Sequence, residues 1–398
     1  MTTPSSHFPD STRRCRIGIT CYPSVGGSGI LATTLGEELA ARGHEVHFIS
    51  YERPFRLKLP APRVFFHPVE INDYGLFKYP DYTLPLSVKM AEVVARHDLD
   101  ILHVHYAVPH ATAAILARAM LPESRRPKVV TTLHGTDTTL LGKDPGYAPA
   151  LRHALASSDA VTAVSDFLAH ETRRLLDVGR TIEVIPNFIL PRTPTRTREQ
   201  TRADLGVAPD QLLLVHSSNL RPGKRIDLLL ESVARVLPRE SFKLLILAGE
   251  SFEPYRPLAR TLGIEQSLII RERVVEIEEF MQAADLSLIT SESESFCLSI
   301  LEAMWFACPS ISTCVGGIPE VIKDGETGVL VPFGDPDAFA RAIEDLKNNP
   351  PRRATLGQAA RASAHTQFSA ARIVPRYEAL YHRMCDERAT QASVETKK

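Results

Sequence analysis

Two stretches of the 398-residue sequence carry residue types that could neutralise and orient a phosphorylated ligand. The first is Ser217-Ser218-Asn219-Leu220-Arg221-Pro222-Gly223-Lys224-Arg225, with three cations soon after the apolar run QLLLVH. At the carboxyl end of a strand, such charge can stabilise a departing nucleoside diphosphate in the transition state. A solvated basic turn is the plainer alternative. The second is Ser291-Glu292-Ser293-Glu294-Ser295-Phe296-Cys297-Leu298, running into Ser299-Ile300-Leu301-Glu302-Ala303-Met304. A Ser-rich turn at a helix start offers backbone amides and a positive dipole end to an anion. The spacing puts Glu294 in the entering loop and Glu302 about two turns into the helix, where it could accept both ribose hydroxyls. A helix cap with a solvated acid would give the same spacing.

A third stretch, Tyr22-Pro23-Ser24-Val25-Gly26-Gly27-Ser28-Gly29, is a glycine loop that opens a helix. Glycines let the backbone approach an anion at the helix N-terminus. The same loop contains Gly27-x-Gly29-x-x-Ala32, and with Glu52 as a ribose acid it fits a relaxed dinucleotide fingerprint. The residues between Thr20 and the first glycine, Pro23 among them, weigh against that dehydrogenase alternative. His103, His105 and His110 could suggest a metal, since residues two apart on a strand share a face. With no matching downstream acid or histidine cluster, hydrogen-bonded core histidines are the better expectation.

The elements that must position these stretches alternate strand and helix. RIGITCY, HEVHFIS, DILHVHYA, KVVTTLHG, DAVTAVSD and TIEVIPN have strand character, with helical patterns such as GILATTLGEELAARG and SVKMAEVVARH between them. Repeated βα units imply a parallel sheet covered by helices on both faces. From Phe188 to about Arg202 the pattern gives way to FILPRTPTRTREQTR, which has linker composition. The alternation then restarts through QLLLVHSS, FKLLILAGE, SLIIRER, DLSLIT and SISTCV, and an amphipathic segment spans roughly Ser369 to Asp386. The expectation is an α/β protein with two Rossmann-like doubly wound domains, 1–190 and 191–368, and a C-terminal helix and tail, 369–398. Ligands of such sheets bind outside the strands' carboxyl ends, here in a cleft between domains.

Composition narrows the partners. Lys+Arg 46 against Asp+Glu 47 leaves a net charge of −1, which gives no electrostatic footprint for nucleic acid. The six cysteines form no C-x-x-C pair and no zinc spacing. The polar opening MTTPSSHFPDSTRR and the absence of a membrane-length apolar run predict a cytoplasmic protein. The stretch Arg53 to Arg63, with four cations near Phe55, is expected to be a solvated loop.

With these stretches in this order, the chain resembles the retaining glycosyltransferases of the GT-B fold from about Arg16 to about Met384. The Glu294/Glu302 pair marks the broad likeness, and SSDAVTAVS and GGIPEVIKDGETG are among its more specific pieces. CYPSVGGSG, FKYPDY and HVHYAVPHA are similar to the branch that transfers N-acetylglucosamine from UDP-GlcNAc to L-malate in bacillithiol biosynthesis. The resemblance implies front-face substitution in which the leaving UDP oxygen helps deprotonate the acceptor, with no protein nucleophile and no metal. It implies that Arg221 and Lys224, or Arg225 in place of Lys224, neutralise the diphosphate. Glu294 would hold the transferred sugar, the amides around Phe296, Cys297 and Leu298 the pyrophosphate, and Glu302 the ribose. The backbone near Val275 would read uracil, His134 would sit near the sugar, and Gly27 and Ser28 would approach the phosphates or the acceptor. For the acceptor it implies Ser28, Tyr106, Thr131 or Thr132, and Arg152, with Lys78 weaker. A homo-oligomer is also implied, with no nucleic-acid or membrane partner. Departures cluster in the donor half. Cys297 stands where the family has glycine, and Gly249-Glu250-Ser251-Phe252 and Arg271-Glu272-Arg273-Val274 differ from its usual loops.

Overall fold

A computed structural model describes residues 13–23, 26–71, 81–191, 193–236 and 241–395. The chain divides into two compact units. The first comprises Met1–Val164, Leu168–Ile185 and Ala370–Lys398, and the second Ser165–Phe167 and Pro186–Ser369.

From the amino end the elements are β1 (Arg16–Thr20), α1 (Gly27–Ala41), β2 (Glu45–Ser50), β3 (Val64–Pro68), α2 (Thr83–His97) and β4 (Ile101–His105). A kinked turn (Ala107–Ala111) leads into α3 (Thr112–Ala119), followed by β5 (Lys128–Leu133), α4 (Thr136–Thr139) and α5 (Ala148–Ser157). Then come β6 (Ala160–Ala163), α6 (Asp166–Leu176) and β7 (Glu183–Val184). The seven strands form one sheet in the order β3-β2-β1-β4-β5-β6-β7, every pair parallel.

The second unit runs α7 (Arg198–Asp204), β8 (Leu212–Ser218), α8 (Ile226–Ala234), β9 (Phe242–Ala248), α9 (Arg256–Thr261), β10 (Leu268–Glu272), α10 (Glu278–Ala283) and β11 (Leu286–Ile289). It continues with α11 (Leu298–Trp305), β12 (Ser310–Thr313), α12 (Ile318–Val321), β13 (Gly328–Val331), α13 (Pro336–Asn348) and α14 (Pro350–Gln367). Its six-stranded parallel sheet has the order β10-β9-β8-β11-β12-β13. In both sheets the order reverses beside the first strand of the unit, β1 or β8. That is the topological switch point of a doubly wound fold, where ligands meet the strands' carboxyl ends. Two Rossmann-like parallel-sheet domains are therefore present.

The closing helix α15 (Ala370–Glu395) belongs to the first unit. Tyr381 donates its hydroxyl to, or accepts from, buried His103 Nδ1 at 2.7 Å, and Glu378 accepts from Arg42 at 3.1 Å. Tyr377 and Tyr381 are fully buried, so a helix distant in sequence completes the core behind β4.

Three local features differ from expectation. The linker composition ends in a helix, α7, because Thr197 and Gln200 form a reciprocal capping box that satisfies its first amides. The edge strand β3 follows directly on the expected solvated loop; its exposed Phe65 and half-buried His67 weaken the hydrophobic alternation that would mark a strand. Helix α11 begins at Leu298, so Glu302 lies just over one turn into it, not two. Among the described residues, no helix is long and apolar enough to cross a membrane. All six cysteines are free thiols.

Candidate active site

The basic loop of the second unit leaves β8 at its carboxyl end, as the strand pattern requires. Thr290 Oγ1 donates to the carbonyls of Lys224 and Arg225, and the Glu292 amide donates to the Gly223 carbonyl at 2.9 Å. These bonds bring Lys224 Nζ to 2.5 Å from Glu294 Oε1, an oxygen that also accepts from Ser291 Oγ at 2.7 Å. Burial disfavours the Lys224 ammonium, but the Glu294 carboxylate outweighs it and holds the pKa above the ordinary lysine range. Arg221 adds a second positive charge close enough to act on Lys224. Two residues separated by seventy positions are thus joined into one charged pair.

Arg225 is placed differently from Lys224. Its guanidinium grips Asp227 through three contacts of 2.7–3.1 Å and lies 5.3 Å from the Phe333 ring centroid. It organises the start of its own helix, which leaves Lys224 as the cation paired with Glu294.

The backbone at Glu294 is pinned by the glycine pair of GGIPEV. A Cβ on Gly316 would lie 1.9 Å from the Glu294 carbonyl oxygen, and one on Gly317 2.2 Å from that of Ser295. Only glycine permits this approach, and the Gly317 amide uses it to donate to Glu294 O at 2.9 Å. Cys297 then adopts a left-handed conformation, φ 73°, at the N-cap of α11, where it supplies no side-chain cap. Glycine is at ease at this φ; a side chain here is strained by about 1–3 kcal/mol. The Cys297 thiol is buried, and burial raises its pKa, so it is a neutral packing group. The Phe296 ring is likewise buried against Phe368, leaving the backbone of 296–298 as what this turn can present.

Two departing loops are bonded to each other. Phe252 donates its amide to Glu272 at 2.8 Å, and the Arg273 amide donates to Ala248 O at 2.8 Å. Glu272 and Phe252 therefore belong to one local design, with Val275, 42% exposed, following it.

In the first unit, the carboxyl ends of β1, β4 and β5 gather aromatic and imidazole rings. The Tyr22 ring centroid is 5.4 Å from that of Tyr106 and 4.6 Å from that of His110, and Tyr106 is 5.2 Å from His134. Tyr106, held at φ 84°, shares a 3.1 Å hydrogen bond with Ser28 in the first turn of α1. The fold thus brings Ser28, Tyr106 and His134 together. Gly27 is exposed beside them, at the start of a helix with no side-chain cap. His105 Nδ1 and His134 Nε2 share a 2.8 Å bond, and His110 Nδ1 donates to His105 O at 2.5 Å. Burial lowers His134 to about 3 and His110 to about 4, so both rings are neutral near pH 7.

Thr131 and Thr132 are placed elsewhere. Both are fully buried; Thr131 Oγ1 bonds Ser158 Oγ, and Thr132 Oγ1 bonds His103 and Thr162. These hydroxyls tie strands and helices together because a buried hydroxyl on a central strand must find a partner there. Arg152 is exposed on α5, and its Nε donates to Leu176 O at 3.0 Å, at the carboxyl end of α6. Lys78, Ser24 and Val25 lie outside the described residues.

One residue escaped the sequence reading. Asp137 is buried and accepts amides from Ala107, Gly135 and Thr138 at 3.0–3.2 Å. Burial raises its pKa to about 6 against the pull of those donors. It braces the turn after β5 against the turn after β4, and its place two residues after Gly135 in HGTD was the available signal.

Comparison with known proteins shows the class to which the chain belongs. Residues 25–191 match Glycosyltransferase Family 4, and residues 197–363 match Glycosyl transferases group 1. The chain is 44% identical over 372 residues to the N-acetyl-alpha-D-glucosaminyl L-malate synthase of Bacillus anthracis, covering 93% of this chain and 97% of that one. It is 28% identical to a D-inositol 3-phosphate glycosyltransferase of Streptomyces scabiei, covering 90% and 87%. In fold it is similar to Anabaena Alr3699/HepE, solved in complex with UDP and glucose, at a TM-score of 0.76 and 20% identity over 93% and 100% of the two chains. The protein is a glycosyltransferase of the GT-B fold. It belongs to the same family as the malate synthase, and the dehydrogenase alternative is thereby set aside.

Proposed function

We propose that the protein transfers N-acetylglucosamine from UDP-GlcNAc to L-malate with retention of configuration. The observation carrying this is the end-to-end likeness to the malate synthase, 44% against 28% for the inositol-phosphate enzyme.

In this reading the second unit binds the donor. Lys224 and Arg221 meet the diphosphate, and the charge they supply stabilises it as it leaves. Glu294 holds sugar hydroxyls, its orientation fixed by Lys224 and Ser291, while Glu302 accepts from the ribose. The backbone of Phe296, Cys297 and Leu298 contacts the pyrophosphate, and the segment at Val275 contacts uracil. In the first unit, Gly27, Ser28 and Tyr106 receive the acceptor, and neutral His134 faces the sugar. Arg152 offers a guanidinium to a malate carboxylate, and a bidentate grip is something lysine cannot reproduce. No side chain serves as nucleophile; the leaving phosphate oxygen takes the acceptor proton on the face it departs from. The positive charge comes from side chains and helix amides, so transfer requires no metal.

A screen of acceptors scored by UDP release tests this. L-malate should give turnover well above inositol phosphate, simple sugars or water. Preference for another acceptor, with malate inert, would overturn it.

A further inference from the structure

Three histidines with no part in the proposed reaction converge on one face of the first sheet. His47 lies on β2, His67 on edge strand β3, and His97 is the last residue of α2. One ligand nitrogen from each lies within 4.8 Å of the others, and His47 Nδ1 is 2.9 Å from His67 Nε2. Two nitrogens bound tetrahedrally to one zinc ion at 2.0–2.1 Å stand about 3.3 Å apart. Small side-chain movements would therefore complete the set.

The groups behind the cluster fit the same purpose. His47 Nε2 donates to the Glu45 carboxylate at 2.8 Å, which fixes its tautomer and turns the Nδ1 lone pair toward His67. A carboxylate behind a ligating imidazole is the usual outer partner of a metal-bound histidine. Nearby cations are matched by acids. Lys89 and Arg96 both contact Glu92, at 2.7 and 3.1 Å, and Arg16 lies between Asp98 and Asp100.

We propose that His47, His67 and His97 form a binding site for a divalent transition-metal ion of the zinc type, with Glu45 orienting His47 from behind. Three imidazoles leave a fourth position for water, and imidazole donors select borderline ions such as zinc, cobalt and nickel over magnesium or calcium. The site clips the sheet-edge strand to β2 and to the carboxyl end of α2. It is a structural clip, separate from sugar transfer.

The test uses the full chain, free of any histidine tag and stripped with chelator, titrated with cobalt(II) and in parallel with zinc. One ion should bind per chain, with the visible absorption of a tetrahedral cobalt site, and saturating zinc should raise the unfolding temperature. His97→Gln and His67→Gln should each weaken binding at least tenfold and abolish the thermal shift while keeping a cooperative melt. Glu45→Gln, which leaves all three ligands in place, should weaken binding less. Equal cobalt affinity in a His67→Gln/His97→Gln double variant would overturn the proposal, as would no binding to the wild-type chain. A thermal shift by magnesium equal to that by zinc would also count against it.

Discussion

The two units share a parallel-sheet plan but differ in what they bury at its centre. In the first lie buried His103, His105 and His110, with half-buried His134 at the end of β5, joined to Thr132, Tyr381 and one another. The centre of the second is mainly apolar, with Leu212, Leu214, Leu244, Ile246, Leu286 and Leu288 packed together; its buried polar side chains are chiefly hydroxyls such as Ser287, Ser310 and Ser312, with His216 as its buried imidazole. Its polar machinery is instead displaced to the strand ends, in the Lys224–Glu294 pair. On the proposed function, the neutral, hydrogen-bonding floor of the first unit would meet the polar acceptor and the charged rim of the second the diphosphate.

The contrast is most exposed to acid. The four histidines of the first unit ionise in the unfolded chain near their ordinary value, about 6.5. Folded, His103 and His134 are held at about 3, His110 at about 4, and His105 is also lowered well below its ordinary value, each chiefly by burial. The unfolded state therefore binds more protons below that value, and stability falls as pH drops from about 6.5 toward 4. A histidine held this low contributes up to about 1.4 kcal/mol per pH unit in that range. Asp137, raised to about 6, works in the opposite sense, since the folded form keeps its proton where the unfolded form has lost it. It offsets about one histidine. Hydrogen exchange on the whole chain at falling pH should show β4 and β5 opening before β8 and β9. Loss of protection first in the second unit would reverse the comparison.

Next in size is Lys224→Ala, which should lower kcat by about 10²–10³, the usual effect of removing one preorganised charge from a developing anion. A rise in the donor Michaelis constant alone would demote Lys224 to ground-state binding. Glu302→Ala should weaken UDP binding by about 1–3 kcal/mol, the loss of a charged hydrogen-bond acceptor, as read by calorimetry. Tyr106→Phe in the same titration should leave UDP affinity unchanged if donor and acceptor roles divide between the units.

The smallest expected effect is the most selective. Arg152→Lys should raise the malate Michaelis constant about tenfold, about 1.4 kcal/mol, with the UDP-GlcNAc constant barely moved. Its hydrogen bond to Leu176 O supplies a competing structural role. If neither constant moves but the melting temperature falls, Arg152 serves α6 and not the acceptor.

The doubly wound alternation was legible because buried central strands such as LLLVH and LLILA read as unbroken apolar runs. The meeting of Lys224 with Glu294, and of Ser28 with Tyr106 and His134, follows from motifs that sit at strand ends. Thr131 and Thr132 misled because alternating sheet faces give neighbouring residues different surroundings, and both faces here are buried. Arg225 misled because composition cannot tell which of two adjacent cations turns back onto its own helix. Cys297 holds a left-handed φ of 73°, the region that favours glycine. His47, His67 and His97 could not be grouped at all, since only the pairing of β2 with β3 and the return of α2 unite them.

Proton NMR of purified protein supplied with UDP-GlcNAc and L-malate tests retaining transfer to malate most directly. Retaining transfer gives stoichiometric UDP and a malate glycoside whose anomeric proton shows the α configuration of the donor, formed equally well without added magnesium or manganese. A β-linked product, or UDP released only by hydrolysis to free sugar, would contradict it.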